Sequence, residues 1–261
     1  MQYSRGVGMK YIRYRYQGKT SYGVLDGNIV KEIRGDLFGD RTETGFSVNL
    51  DSTELLWPCE PTKILAVGLN YRSHLDSHAP DRPAPEEPAI FIKPPSALLE
   101  SGGEIKLPAS SRIVHYEGEL VAVIGKKTRH ATASEAEECI LGYTCGNDVS
   151  ERIWQKNDLQ WWRAKGCDTF APLGPAIAAG FDWRQGRIQT RLNGSVVQSG
   201  DFSELLFDPP EIVSFASRYV TLYPGDVIYT GTPGSTDMLK PGDSVEVVIP
   251  GIGILHNTVG V

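Results

Sequence analysis

The chain has 261 residues, enough for one large domain or a domain with a small appendage. Its 40% hydrophobic and 22% charged residues are those of a globular protein, and a net charge of -6 without a Lys/Arg block argues against nucleic acid or an acidic membrane surface as partner. No apolar run approaches the ~20 residues of a membrane helix, and the basic stretch 1–16 lacks the apolar core of a secretory signal.

Met9 begins a tidier start than Met1, so residues 1–8 read as a loose leader. Residues 9–35 alternate and turn often, with Asp26-Gly27 as a two-residue hairpin turn. Residues 36–57 are polar and mixed, with a short helix expected near 50–56. Pro58 and Pro61 bracket a boundary. A small N-terminal β domain is therefore placed at 1–57 and the main domain at 62–261.

Strands are expected at 63–67 and 89–92. Between them, Pro80, Pro83, Pro85 and Pro88 lie among charges, which suits a surface loop and a candidate lid over residues 72–88. Thr132 and Glu135 form a capping box for a helix to about Leu141. Residues 149–163 read as helical first, then looped. Asn193-Gly194 marks a second hairpin, and 209–219 a helix with Ile212, Phe215 and Ala216 at helical spacing. The rest is β, punctuated by three Pro-Gly turns. Cys59, Cys139, Cys145 and Cys167 form no C-x-x-C pair and read as buried thiols of a cytoplasmic protein.

The chain is organised around His115–Gly125. Leu120 to Ile124 is continuously apolar and reads as a buried strand. Glu117 and Glu119 stand two apart at its head and so share a face, with Gly118 leaving the other face bare. Two adjacent carboxylates at a core edge repel each other and resist burial; a hard cation between them removes both penalties. The pair reads either as two-thirds of a metal site or as a solvated strand end.

Eight motifs then add up. GLNYRSH (68–74), FIKPP (91–95), YEGEL (116–120), GYTCGNDVSER (142–152), AKGCDTFAPLGP (164–175), NGSVVQ (193–198), PGDVIYTGTPG (224–234) and GIGILHN (251–257) together resemble the fumarylacetoacetate hydrolase family over residues 62–261. The resemblance implies a β-rich α+β fold, a fumarylacetoacetase-type mixed β-roll or sandwich, with the small N-terminal β domain in front. It also implies a homodimer, a divalent cation (Mg2+, with Mn2+ or Ca2+ as options) and chemistry on small-molecule oxo acids.

By the family pattern the metal ligands fall on Glu117, Glu119 and Asp148, and the catalytic positions on Lys165 and the general-base His74. Substrate-binding positions fall on Arg152, Gln155, Gly231 and Thr232. Each has a plainer reading: Lys165 as a solvated lysine, Arg152 as a structural ion-pair partner, Gln155 as a packing residue, Gly231-Thr232 as a turn, His74 as a structural histidine. Trp154, Trp161 and Trp162 read as core or dimer contacts rather than a substrate cage.

The resemblance implies metal-dependent hydrolysis of the C–C bond of a 2,4-dioxo acid such as an acylpyruvate or fumarylpyruvate. The alternatives are oxaloacetate decarboxylation or keto–enol tautomerisation, and isomerisation or decarboxylation in aromatic catabolism. One departure bears on the choice. Hydrolytic relatives carry a glutamate three residues after the histidine, whereas this chain has Ser77. Asp76 at i+2 is badly placed to replace it, and His78 at i+4 carries no negative charge.

Overall fold

The computed structural model describes residues 8–78, 81 and 83–261. The expected leader, Gly8 apart, lies outside the described residues, as do residues 79, 80 and 82 of the expected lid and the side chain of His78.

Strands β1 (Met9–Tyr16), β2 (Lys19–Asp26), β3 (Ile29–Gly35) and β4 (Arg41–Asn49) form an antiparallel meander, and β5 (Glu54–Leu56) pairs with β1. Asp26-Gly27 makes the β2–β3 turn as expected. The helix expected near 50–56 is instead one 3-10 turn, Leu50–Ser52, followed by β5. β4 left no mark in the sequence because its side chains are exposed or half-buried throughout, so no burial alternation exists to be read.

The chain continues through β6 (Ile64–Gly68), α1 (Arg72–His78), β7 (Ala89–Lys93), β8 (Leu98–Leu99), β9 (Glu104–Lys106), β10 (Val114–His115) and β11 (Gly118–Ile124). Next come α2 (Ala133–Cys139), β12 (Ile140–Asn147), β13 (Ser150–Glu151), α3 (Arg152–Asn157), α4 (Trp162–Gly166) and β14 (Ala171–Ala179). The last elements are β15 (Arg187–Leu192), β16 (Ser195–Asp201), α5 (Pro209–Tyr219), β17 (Val227–Tyr229), β18 (Ser244–Ile249) and β19 (Gly253–Gly260). Both halves of the Thr132/Glu135 capping box form, but α2 stops at Cys139 because Ile140 already belongs to β12. α5 spans the expected residues, opened by an Asp208/Glu211 capping box with proline in its first turn.

The protein is β-rich, built on a 12-stranded mixed sheet in the order β4-β3-β2-β1-β14-β12-β11-β17-β6-β7, with β5 and β8 branching from it. A five-stranded sheet, β16-β15-β18-β19-β9, packs against β11 and β12. Met9, Lys10 and Tyr11 pair with Ala179, Ala178 and Ile177, so the N-terminal meander extends the main sheet.

β11 lies between β12 and β17 and is buried along its whole length. Its side chains alternate between two cores. Leu120, Ala122 and Ile124 join Ile188, Val247 and Leu255 of the second sheet and Ile212 and Ala216 of α5. Val121 and Val123 join Ile64, Ala66, Leu173 and Tyr229 on the opposite face. A strand covered on both faces reads as a continuous apolar run, which is why 120–124 was recognisable. Gly118 is obligatory here: a Cβ would sit 2.0 Å from Thr190 Oγ1 and 3.3 Å from a Val247 methyl. The second sheet leaves room for a side chain only on the other face, toward which Glu117 and Glu119 project.

Candidate active site

Strand register assembles three carboxylates. Gly118 pairs with Asn147 across β11 and β12, and the Asp148 N–H donates to the Glu117 carbonyl at 2.8 Å, so Asp148 comes to lie opposite Glu117. Asn147 Oδ1 accepts the Glu117 N–H at 2.9 Å and holds the strand head in place. Glu117, Glu119 and Asp148 are all buried and can offer ligand oxygens within 4.8 Å of one another.

Cations surround them. Glu117 Oε1 accepts from Arg152 Nη2 at 2.6 Å, and Glu117 Oε2 from Lys165 Nζ at 2.7 Å. The same Lys165 ammonium reaches Asp148 Oδ2 at 2.6 Å and stands 5.0 Å from the centre of the Phe91 ring. The fully buried Lys93 donates to Asp148 Oδ1. Glu119 has no such partner in this set; its Oε2 accepts the Gly231 N–H at 2.6 Å.

The electrostatics follow from these contacts. Burial would raise the Glu117 carboxyl, but Arg152, Lys165 and His74 hold it well below the usual range. Burial, then Asp148 and Glu117, push Glu119 well above it. Burial works against charge on Lys165, yet Asp148 and Glu117 keep its ammonium more basic than an ordinary lysine. Lys93 is shifted downward by its burial, against the pull of Asp148. Three buried carboxylates thus face three cations, and Glu119 is the one whose ionisation is opposed. An all-oxygen donor set in which Glu119 touches none of these three cations fits a hard divalent cation.

His74 comes from α1. Its Nδ1 lies 2.6 Å from the Gly234 carbonyl, which can only accept, so Nδ1 carries the proton and Nε2 is the basic nitrogen. The same loop receives α1 a second time, through Gly234 N–H to Ser73 Oγ at 3.2 Å. Leu75 is buried, so the first turn of α1 is anchored at the site. Ser77 does not support the imidazole; its hydroxyl donates to the Ser73 carbonyl at 2.7 Å.

A cavity of about 440 Å³ opens over this cluster, and His74, Glu117, Glu119, Arg152, Gln155, Lys165 and Thr232 all line it. Gln155 Oε1 accepts from Arg152 Nη1 at 2.8 Å. Gly231, a substrate-binding position by the family pattern, donates its N–H to Glu119 Oε2 at 2.6 Å. Thr232 Oγ1 donates to the Gly118 carbonyl and accepts from Gln198 Nε2, so it braces the strand head as well as lining the wall. Trp161, expected as a core or dimer contact, lines the cavity and packs edge-on against Phe91 with centroids 5.4 Å apart.

Several supporting residues escaped the sequence reading. Lys93 is buried while its neighbour Ile92 is largely exposed, the reverse of what side-chain polarity suggests. The only cue was its place inside FIKPP. Thr236, which accepts from Arg152 Nη2 at 2.8 Å and contacts His115 Nδ1 at 2.9 Å, carried no cue.

Comparison with known proteins is consistent with this geometry. Residues 63–260 match the family profile "Fumarylacetoacetate (FAA) hydrolase C-terminal", and residues 9–58 the profile "Rv2993c-like, N-terminal". The chain is 40% identical over 211 residues to the human mitochondrial oxaloacetate tautomerase FAHD2A, an alignment covering 76% of this chain and 67% of that protein. A solved 5-carboxymethyl-2-hydroxymuconate delta-isomerase from Mycobacterium smegmatis superposes with TM-score 0.90 at 42% identity, covering 97% of this chain and 99% of that one. Maleylpyruvate hydrolase from Sphingobium sp. SYK-6, solved in complex with manganese(II) ion and pyruvate, superposes with TM-score 0.80 at 26% identity and the same coverage. With profile, relatives and solved structures in agreement along nearly its whole length, the chain belongs to the fumarylacetoacetate hydrolase family.

Proposed function

We propose that this protein is a divalent-metal-dependent enzyme acting on a small 2-oxo acid, and that keto–enol interconversion of oxaloacetate is the reaction its site serves best. The carrying observation is His74, held with its proton on Nδ1 by a neutral carbonyl, in the wall of a cavity lined by Glu117 and Glu119, beside which Asp148 completes a cluster of three buried carboxylates. A cation held by Glu117, Glu119 and Asp148 would supply Lewis-acid stabilisation of enolate charge. With Lys93, Lys165 and Arg152 already balancing the three carboxylates, such a cation gives the site a surplus of positive charge, which an anionic oxo acid offsets.

The chain's own residues do the rest. In the keto-to-enol direction His74 Nε2 takes a proton from the carbon next to the keto group and delivers it to the enolate oxygen; in the reverse direction it takes the enol O–H proton and delivers it to that carbon. The Lys165 ammonium, fixed between Glu117 and Asp148, lowers the cost of negative charge appearing beside it. Phe91 and Trp161 keep one wall apolar and limit water. The human relative named an oxaloacetate tautomerase supports this reading.

C–C hydrolysis of a 2,4-dioxo acid is the second reading, supported by the maleylpyruvate hydrolase neighbour. It uses the same enolate but needs His74 to activate water. The test is a panel of enol-oxaloacetate, acylpyruvates and fumarylpyruvate, assayed with Mg2+, Mn2+ and a chelator. Metal-dependent consumption of enol-oxaloacetate is expected. Undiminished turnover in excess chelator, or no turnover of any oxo acid, would overturn the proposal.

A further inference from the structure

Strand β16 buries only Gln198 and Gly200, and both meet the loop that follows β17. Gly200 is bare where Pro233 packs: a Cβ there would stand 2.6 Å from Pro233 Cβ. Gln198 supplies the polar contact beside it. Its Oε1 accepts the Gly118 N–H at 3.2 Å, and its Nε2 donates to Thr232 Oγ1 at 2.9 Å and to the Pro233 carbonyl at 2.7 Å. Turning the amide over would set its NH2 group against the Gly118 N–H and its oxygen against the Pro233 carbonyl, so the network admits one orientation.

The two ends of this amide grip different parts of the site. Gly118 links Glu117 to Glu119, and its carbonyl is held as well, by Thr232 Oγ1 at 2.8 Å. Pro233 leads into Gly234, whose carbonyl orients His74 Nδ1 at 2.6 Å and whose N–H reaches Ser73 Oγ at 3.2 Å. One buried side chain of the second sheet thus joins the carboxylate strand to the loop that holds the imidazole. Gln198 does not line the cavity, so it acts on a reaction only through these neighbours.

We propose that Gln198 is a positioning residue, which sets the His74 imidazole against the Glu117–Glu119 strand by gripping the Gly118 peptide and the Pro233 carbonyl with one amide. Its consequence for turnover rests on the oxo-acid reading above. Its consequences for the His74 tautomer and for cation affinity do not.

Three variants separate the two grips from simple loss of stability. Gln198→Met keeps the length and removes every bond. Gln198→Glu can still accept from Gly118 but, ionised, cannot donate to Pro233. Ile188→Val trims the core opposite Gly200 and destabilises the same sheet without touching the bridge. Proton–nitrogen correlation spectra of the metal-free proteins, recorded above the imidazole titration range, read the His74 tautomer, with His74→Gln assigning the signal. Wild type and Ile188→Val are expected to hold the proton on Nδ1 alone, and both Gln198 variants to populate the Nε2–H form as well. Calorimetry should show Mn2+ affinity lowered about tenfold in Gln198→Met, the lower end for loss of an outer-shell partner, and retained in Gln198→Glu. With enol-oxaloacetate, kcat should fall by about 10–100-fold in both Gln198 variants at an unchanged KM, and stay at the parent's value in Ile188→Val. Retention of the single Nδ1–H tautomer in Gln198→Glu overturns the proposal, and so does a mixed tautomer in the wild type. Where Gln198→Met does not fold, Gln198→Glu decides alone. A parent inactive on every oxo acid, with the tautomer and Mn2+ effects intact, overturns the reading above and upholds the role of Gln198.

Discussion

The Lys165 ammonium donates to Asp148 Oδ2 at 2.6 Å, and both side chains are almost completely buried. Because the same ammonium also bridges to Glu117, one positive charge ties together two of the three carboxylates that converge beneath the cavity. Removing one partner of a buried ion pair costs about 3–5 kcal/mol, since the other charge stays behind without compensation. Here Glu117 keeps Arg152 and Asp148 keeps Lys93, so the lower end of that range applies.

Lys165→Met is therefore expected to destabilise the metal-free protein by about 3 kcal/mol. A divalent cation supplies the missing positive charge, so Mn2+ should stabilise this variant more than the wild type. Denaturant unfolding with and without Mn2+ measures both effects. Equal stability of variant and parent without metal would mean that the bridge contributes nothing.

Glu119 carries the opposite signature. Burial, with Asp148 and Glu117 nearby, raises its folded-state pKa above the unfolded value. The folded chain then holds a proton that the unfolded chain releases, so metal-free stability falls as pH rises from the ordinary carboxylate range toward the raised value. Glu119→Gln should abolish this fall and leave the metal-free protein at least as stable as the parent near neutral pH. The same variant should lose metal affinity by more than about 100-fold, beyond the effect of removing an outer-shell partner, and lose turnover with it. Calorimetric Mn2+ titration and unfolding at several pH values test the two halves separately. Undiminished Mn2+ affinity in the variant would remove Glu119 from the ligand set.

These residues could be read from the chain because each left a local mark. Glu117 and Glu119 sit two apart at the head of an apolar run, and Asp148 and Lys165 lie inside long motifs. What could not be read depends on distant pairing. Nothing in residues 9–16 indicates that β1 lies beside β14, more than 160 residues later. β4 is a strand only because β3 offers it hydrogen bonds. Lys93 is inverted relative to Ile92 by the placement of β7 at the sheet edge, where one face meets the carboxylates and the other solvent. The short α4, which carries Lys165, follows an expected helix-then-loop segment and has no side-chain cap to announce it.

Gly118 offers a test of how tightly the second sheet constrains the site. Gly118→Ala places a methyl 2.0 Å from Thr190 Oγ1, so β11 and β15 must separate. Overpacking of this kind costs about 1–3 kcal/mol, and the shift falls on the peptide between Glu117 and Glu119. Thr190→Ala removes the Oγ1 in the way. The double variant should recover part of the stability lost by Gly118→Ala, a coupling that a thermodynamic cycle reads directly. Strict additivity would show that the two positions do not compete for this space.

The last prediction concerns what His74 is able to do. Its Nδ1–H is held by the Gly234 carbonyl at 2.6 Å, so the ring is oriented and its tautomer defined by a backbone acceptor. A carbonyl dipole stabilises imidazolium less than a carboxylate does. Activating water for attack on carbon builds imidazolium in the transition state, and so does removing a proton from an oxo acid, but the second reaction starts from an acidified C–H and demands less of the base. Ser77, one turn beyond His74 on α1, directs its hydroxyl to the Ser73 carbonyl and leaves the histidine without a negative neighbour from that position. Oxaloacetate turnover should therefore at least equal acylpyruvate cleavage in the wild type. His74→Gln should lower both by about 10²–10⁴-fold, the usual contribution of a general base. Ser77→Glu places a carboxylate three residues from His74, on the same face of α1, and should raise acylpyruvate cleavage more than oxaloacetate turnover. Rates for both substrates in the three proteins decide the matter. If the wild type cleaves acylpyruvates far faster than it consumes oxaloacetate, and Ser77→Glu changes neither rate, then the carbonyl at Gly234 suffices for water activation and hydrolysis becomes the better reading.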